Sequence, residues 1–325
     1  MKTVVFGASG FIGSHVVEQL LEAGHKVIAV VRASSHTAFL ESAGAEVVRA
    51  EYTQPETLVS LLKGIEVVYN CTAHPRMHEK RERLQQVEVE LTRKLIEAAA
   101  QAGVRRFIQL STIFVYDFDR SEPIDETYPV KPKYTFQQVC MERELVVLQE
   151  GKRLGLETFI LRPASTIGRR DRASFFSAFY TAHLKNKYPI IGSGEVPVSF
   201  IDTRDIGRAM EWLGRLPLQA GDDGVYLVKG FDTSWLGLKS YMDQRLKSKA
   251  GVQRLPAGLA YLIGVIMEKL TPRWGNPMLT PLLVKSLTVP RIWNDGKIRN
   301  AGFLPKYSLE EAVEDALDDL QNAAL

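Results

Sequence analysis

Gly7-Ala8-Ser9-Gly10-Phe11-Ile12-Gly13 follows directly on the apolar run Thr3–Phe6 and leads into the amphipathic stretch Ile12–Ala23. Glycines between a strand and a helix permit a tight turn and let the backbone approach a bound group closely. The helix that starts there offers free N–H groups and the positive end of its dipole, which together favour a phosphate. A glycine triplet alone is a weak signal, but between a strand and a helix it is a strong one. The plain alternative is a tight turn with no ligand. On this reading Gly7, Ser9, Gly10, Phe11, Ile12 and Gly13 are candidate pyrophosphate-binding residues.

The pattern repeats outward from the turn. Strand-like runs occur at Thr3–Phe6, Lys26–Val31, Glu46–Arg49, Val67–Cys71, Phe107–Ser111 and Thr158–Arg162. Helical patterns lie between them at Ile12–Ala23, Pro55–Lys63, Leu84–Ala102 and Gln137–Leu154. Strands separated by helices of this length predict an α/β fold: a doubly wound parallel sheet with helices on both faces. After Pro163 the regularity falls and aromatic and Gly/Pro-rich segments follow, which predicts a smaller C-terminal substrate lobe. Residues 1–165 are expected to form the cofactor domain, with 196–224 returning to it. Residues 166–195 and 225–325 are expected to form the lobe. Val198–Leu213 reads as strand, turn and helix, and Arg254–Leu270 and Ser308–Leu320 read as helices.

Composition narrows the function. Hydrophobic residues make up 45% of the 325 and charged residues 24%, an ordinary globular mixture. Lys and Arg number 41 against 38 Asp and Glu, a balance that predicts no nucleic-acid partner. The local cluster Arg169, Arg170 and Arg172 reads as a solvated face, with phosphate binding as the alternative. Two cysteines, Cys71 and Cys140, make no disulfide framework and fit a reducing, cytoplasmic setting; Cys71 reads as a buried small hydrophobe. No signal peptide is expected, because Thr3 already begins a strand. The apolar stretch Leu255–Met267 is too short to span a bilayer. A packed helix is the plain expectation for it, and a surface-bound membrane helix the alternative. No metal site is expected.

The G-x-x-G-x-x-G spacing resembles the extended branch of the short-chain dehydrogenase/reductase superfamily. That branch holds NAD(P)-dependent epimerases and dehydratases, dihydroflavonol reductases and 3β-hydroxysteroid dehydrogenases. The similarity extends to Leu95-Ile96-Glu97-Ala98-Ala99 before Arg105-Arg106-Phe107, Ser111-Thr112 before Val115-Tyr116, and Leu161-Arg162-Pro163-Ala164. It continues at Ile201–Ile206 and Ala301-Gly302-Phe303. The resemblance implies a Rossmann sheet, a nicotinamide cofactor and an oxidoreductase. It places Glu51 and Tyr52 near the adenine, Ala73 and His74 beside the pyrophosphate and ribose, and Pro163 and Ser165 among the cofactor contacts; without it His74 would read as structural. It also implies, more weakly, a homodimer through the helices Leu84–Ala102 and Gln137–Leu154.

The cofactor type follows from the end of the second strand. A free ribose 2′-OH calls for a carboxylate there. This chain ends the strand Ala29-Val30-Val31-Arg32. Val31 removes repulsion and Arg32 offers a cation to a 2′-phosphate, with Ser34 and Ser35 as further donors. NADP(H) is therefore preferred, with NAD(H) as the alternative; Arg32 as a solvated loop residue is the plain reading.

In the resembling family a Tyr exchanges the proton, a Lys four residues later supports it electrostatically, and a Ser or Thr holds the substrate oxygen. Thr112 and Tyr134 match the Ser/Thr and the Tyr, and Glu142 matches an acid that often follows. The Lys position is Gln138. Positions 134 and 138 share a helix face, so Gln138 is expected to face the cofactor. A neutral amide can bond ribose hydroxyls but brings no charge to stabilise a tyrosinate. Three readings stay open: a weakened reductase; a site rescued by Lys131 or Lys133; or a non-redox protein, whether sensor, scaffold, lyase or isomerase. The resembling sugar-nucleotide enzymes carry an Arg where this chain has Val198, so a nucleotide sugar is disfavoured. Phe114, Tyr116, Phe118, Phe136, Phe175, Phe176 and Phe179 suggest a small apolar substrate, steroid-, terpenoid- or polyketide-like, though half of them are expected in the plain core.

Overall fold

Short runs rich in Val and Ile, each closed by a glycine or a polar residue, form the strands of one parallel sheet. The computed structural model describes residues 1–52, 54–117, 123–270 and 279–323. The first half runs β1 (Lys2–Phe6), α1 (Phe11–Glu22), β2 (Lys26–Val31), α2 (Ala38–Ser42), β3 (Glu46–Arg49), α3 (Pro55–Leu62) and β4 (Val67–Asn70). It continues with α4 (Arg81–Gln85), α5 (Leu91–Gln101), β5 (Arg106–Leu110), α6 (Thr135–Leu154) and β6 (Glu157–Pro163). The second half holds β7 (Ser165–Ile167), α7 (Phe175–Leu184), β8 (Tyr188–Ile191), β9 (Pro197–Asp202), α8 (Thr203–Arg215) and β10 (Val225–Val228). It closes with β11 (Phe231–Ser234), α9 (Trp235–Leu246), β12 (Val252–Leu255), α10 (Ala257–Leu270), α11 (Pro281–Thr288), α12 (Gly296–Asn300) and α13 (Leu309–Asn322).

The seven-stranded sheet has the order β10-β6-β5-β4-β1-β2-β3. In register, Phe6 faces Val30 on one side and Asn70 on the other. The strands therefore end together, and Gly7, Arg32 and Cys71 emerge at one edge of the sheet. Strand order reverses on either side of β1, which makes that edge the natural ligand crevice of an open parallel sheet. One core packs the face carrying α1 and α8, and a second packs the face carrying α3, α5 and part of α6. A third core joins α7, α9 and α13 to the small sheet β11-β9-β7.

The two halves interleave. α8 lies so close to α1 that a Cβ on Gly207 would stand 2.6 Å from the His15 carbonyl oxygen. The strand that returns to the main sheet is β10, just past 196–224, while β9 joins the lobe's sheet. Asp202 caps α8 directly, accepting from the Arg204 amide at 2.7 Å, so no separate turn divides strand from helix.

Two expected helices are altered. The stretch 84–102 is broken by a π-turn, Gln86–Glu90, which turns Glu88 into the interior. The stretch 254–270 starts as strand β12 and becomes helix only after Pro256, which disfavours helical backbone in the residue before it. The arginine cluster is a partly solvated face whose three side chains are paired with carboxylates. Arg170 grips Glu18 through both terminal nitrogens, at 2.9 and 2.6 Å, and Arg172 pairs with Asp319 at 2.6 Å. These contacts lock α1 to α13.

Candidate active site

The glycine-rich turn is built by what a side chain would hit. Gly7 has φ of +73°, and a Cβ there would lie 2.6 Å from the Cys71 carbonyl oxygen. A Cβ on Gly13 would overlap the Gly7 carbonyl. Gly10 is different: it is exposed, and its nearest neighbour to an added Cβ is the Gly7 oxygen at 3.2 Å. Gly10 is the N-cap of α1, and no side chain caps that helix. Gly7 and Gly13 thus shape the turn, whereas Gly10 leaves room above it with the first helical amides facing out. Ser9, Phe11 and Ile12 are half-buried around this opening, a cradle that suits a pyrophosphate.

Beyond β2 and β3 lies a cavity of about 670 Å³. Arg32, Ser34, Glu51 and Tyr52 line it together with Glu90 and Lys94. Arg32 is exposed, and the loop that presents it is tied by Arg49, which donates to the carbonyls of Ala33 at 2.8 Å and Ser35 at 3.0 Å and to the Thr37 hydroxyl at 2.9 Å. Tyr52 donates to the Val30 carbonyl at 3.2 Å and packs edge-on against Phe6 at 5.6 Å. Burial raises its pKa. Tyr52 therefore walls the cavity. Arg49 and Lys94 were not singled out from the sequence; each lies on a neighbouring element, too far along the chain for spacing to connect it to Arg32.

Ala73 is exposed on the loop after β4. The His74 amide donates to Glu88 at 2.7 Å, and the His74 ring turns onto its own loop, with Nδ1 3.2 Å from the Arg76 amide nitrogen. Cys71 is half-buried, not fully enclosed, yet its surroundings push the thiol up to about 12.

The second part of the site is where α6 meets the end of β5. Thr112 accepts from the Phe114 amide at 3.2 Å and so caps the short helical turn 113–115. Tyr134 is the N-cap residue of α6 and half-buried, and its carbonyl accepts from the Gln138 amide at 3.0 Å. Gln137, missed in the sequence, aligns the two segments. It donates to the Tyr116 carbonyl at 2.7 Å and accepts from the amides of Lys133 and Tyr134 at 3.1 and 3.2 Å. Phe114 and Phe136 meet edge-on at 6.2 Å beside them.

The Gln138 side-chain carbonyl oxygen is occupied. Arg81, from α4, donates to it at 2.9 Å and also pairs with Glu142. Lys131 and Lys133 are exposed. A cation bonded to Gln138 is thus an arginine from another helix, 57 residues away in the chain.

Behind this surface runs a buried chain of charge. Glu88 binds Arg143 and the His74 amide; Arg143 reaches the Ser111 hydroxyl at 3.4 Å; Ser111 donates to Glu144. Glu144 pairs with Arg162 at 2.5 Å, and Arg162 donates to the Tyr116 hydroxyl at 2.7 Å. Burial pushes the Tyr116 hydroxyl up to about 12 against the opposing pull of Arg162. Burial works against the charge of Arg143, but Glu88 more than offsets it and raises its pKa. Two carboxylates and two guanidinium groups thus balance inside the protein and bind β5, β6, α6 and the π-turn together.

Pro163 ends β6 and Ser165 opens β7, so both lie at the rim where the sheet gives way to the lobe. The aromatic residues divide. Phe176 and Phe179 are core residues of the lobe, Phe175 packs on Trp235 at 5.4 Å, and Tyr116 is fully buried. Phe114 and Phe136 are half-buried and pack on each other. Phe118 lies outside the described residues. Val198 is buried in β9, bridged through the backbone to Arg291. The Arg291 guanidinium lies 6.0 Å over Trp235 in the lobe core, and burial lowers its pKa to about 9. Among the described residues no three His, Cys, Asp or Glu gather to hold a metal ion, and no helix is long and apolar enough to cross a membrane.

Comparison with known proteins gives the family and agrees with the fold. The family model described as the NAD dependent epimerase/dehydratase family matches residues 3–228. A putative dihydroflavonol 4-reductase of Synechocystis is 25% identical, over 98% of this chain and 94% of its own. The decarboxylating sterol-4-alpha-carboxylate 3-dehydrogenase of Mus musculus is 25% identical over 96% and 89%, and the 2-alkyl-3-oxoalkanoate reductase of Stenotrophomonas maltophilia is 24% identical over 96% and 97%. In fold, the chain is similar to UDP-glucuronic acid 4-epimerase of Bacillus cereus in complex with NAD, with a TM-score of 0.81, 20% identity and full coverage of both chains.

Proposed function

The chain belongs to the NAD dependent epimerase/dehydratase family, and on that premise we propose that it is an NADP(H)-dependent oxidoreductase interconverting a carbonyl and an alcohol on a small apolar molecule. The observation that carries the reading is a pair of cations on one cavity. Arg32 and Lys94 line it beside Glu51 and Glu90, and the end of β2 itself carries Val31 where a carboxylate would repel a 2′-phosphate. Gly10 and the first turn of α1 hold the pyrophosphate, and Pro163 and Ser165 border the nicotinamide end. NAD(H) is the weaker ligand.

When bound, the nicotinamide supplies or accepts the hydride. The chain's own part is the proton. Tyr134 exchanges it with the substrate oxygen, and the Thr112 hydroxyl holds that oxygen in place. Arg81, bonded to Gln138, brings a positive charge to the position that carries Lys in resembling chains; Glu142 offsets part of it. Phe114 and Phe136 form an apolar wall. Relatives named for a sterol carboxylate and for a 2-alkyl-3-oxoalkanoate support an apolar substrate. A homodimer through α5 and α6 is part of the proposal. The same Arg81 bond favours a second reading, a cofactor-binding sensor or scaffold, because it fixes Gln138 in a structural contact.

Fluorescence titration of NADPH and NADH, followed by turnover on a panel of lipophilic ketones, tests both. NADPH is expected to bind more tightly, and Arg32→Ala to weaken it by about 1.5–3 kcal/mol. Tyr134→Phe is expected to lower turnover by about 10²- to 10⁴-fold. Gln138→Lys is expected to raise it and to move the pH optimum of alcohol oxidation down. Equal affinities for the two cofactors in the wild type would sink the NADP assignment. NADPH binding with no turnover, in wild type and Gln138→Lys alike, selects the second reading.

A further inference from the structure

Helix α10 is built inside out. Its buried residues are Ala260 and Gly264, one turn apart. Gly264 packs so closely that a Cβ would lie 2.9 Å from the Thr280 carbonyl carbon. The large apolar side chains point the other way: Leu259 is 49% exposed, Leu262 55%, Ile266 46% and Leu270 75%. A surface helix of a water-soluble domain turns such residues toward its core. These four follow i, i+3, i+7 and i+11, so they form one stripe from Leu259 to the end of the helix. At 1.5 Å per residue the stripe is about 17 Å long. That is short of the roughly 30 Å needed to cross a bilayer, but suited to lying on one.

Charge gathers on the same edge. α10 follows β12 directly, and β12 pairs with β8. The segments 184–195 and 247–270 around this pair carry Lys185, Lys187, Lys247, Lys249, Arg254 and Lys269 against Glu195 and Glu268. That is six cations to two anions, which leaves 35 to 36 for the rest of the chain. All six cations are exposed, and Leu184 (62%) and Val252 (39%) add apolar surface between them.

We propose that α10 and the β8–β12 edge form a peripheral docking surface for an anionic lipid bilayer, with the leucine stripe entering the interface and the lysines facing the headgroups. A basic rim beside an exposed apolar helix is complementary to an anionic leaflet. A second copy of this chain fits less well, because a two-fold contact on this face sets the cationic rim against itself. The inference stands whether or not the chain is a reductase.

The test is co-sedimentation of the full chain with phosphatidylcholine vesicles and with vesicles that also contain phosphatidylglycerol. Binding is expected to the second kind and to weaken as salt is raised. Leu262→Glu with Ile266→Glu is expected to lower binding by about tenfold or more. Lys247→Glu with Lys249→Glu is expected to remove the preference for anionic lipid. Both variants should keep the wild-type melting temperature and NADPH titration, since these side chains are exposed. In the wild type, hydrogen exchange of amides 257–270 should slow when anionic vesicles are added. Protein that stays in solution with both vesicle types, or exchange that does not change, overturns the proposal. So does a dimer in light scattering that Leu262→Glu dissolves while vesicles never bind.

Discussion

The glycine turn and the Tyr134 face are constructed by opposite means. At the turn, seven consecutive residues make the site, and the working parts are backbone: a left-handed Gly7, an open Gly10 and a Gly13 pressed on Gly7. Around Tyr134, residues 81, 88, 112, 134, 137, 138, 143, 144 and 162 come from five segments spread along the chain, and the working parts are charges and hydroxyls. A site made of backbone is specified where it stands. A site made of side-chain charge depends on groups imported from elsewhere: the cation bonded to Gln138 comes from a different helix.

The largest test of that contrast is at the imported end. Arg143→Ala leaves Glu88, 1% exposed, without its guanidinium. Breaking a buried pair by removing one partner costs about 3–5 kcal/mol. Urea unfolding should show that loss, and the double variant Glu88→Leu with Arg143→Leu should recover much of it. A loss below about 1 kcal/mol would mean that the charge chain does not hold α6 to the strand ends.

The glycine turn gives the next effect and divides it in two. Gly13→Val drives a side chain into the Gly7 carbonyl, so both stability, by about 1–3 kcal/mol, and NADPH binding should fall. Gly10→Val brings its Cβ 3.2 Å from the Gly7 oxygen and otherwise fills the space above the turn, so binding should be lost with a smaller fall in melting temperature than Gly13→Val shows. If both variants melt alike, the separate jobs assigned to these glycines are wrong.

The smallest effect concerns the clamp between α1 and α13. Burial works against the Glu18 carboxylate, but hydrogen bonds from His15 and Arg170 outweigh it and hold its pKa well below the ordinary 4.5. A depressed carboxylate stabilises the fold above its unfolded pKa, and the contribution is lost as pH falls below that value. Glu18→Gln should therefore melt slightly below wild type at neutral pH, by less than about 1 kcal/mol given its partial exposure. The gap should close as the solution is acidified below pH 4.5. A gap that widens on acidification would reverse the assigned sign.

The sequence was legible where the signal is local. The strands from β1 to β6 appear within a residue or so of their expected limits, because an apolar run buried on both faces needs no partner to be recognised. Glu88 was hidden, because a π-turn inside a helical pattern changes the phase by one residue and leaves no mark in composition. Phe175, Phe176 and Phe179 read as pocket lining, yet their spacing suits a helix packed into the lobe's own core, and apolar periodicity does not say which neighbour is being faced. Leu255–Met267 read as a packed helix for the same reason: hydropathy reports how apolar α10 is, and only its packing on Thr280 and Pro281 shows that the small side of it faces inward.

The residues alone thus determined the parallel sheet, the glycine-rich turn between β1 and α1, the absence of a carboxylate after β2 and the presence of Gln at position 138. Each depends on a residue's identity and its neighbours within one strand–turn–helix unit. Tertiary structure alone decided that Arg81 reaches Gln138, that Lys94 shares a cavity with Arg32, that Arg170 locks onto Glu18, and that α10 shows its leucines to the outside. Those facts turn on which surfaces meet after the chain closes, and the long side chains that carry the charge reach across elements whose approach no local spacing records.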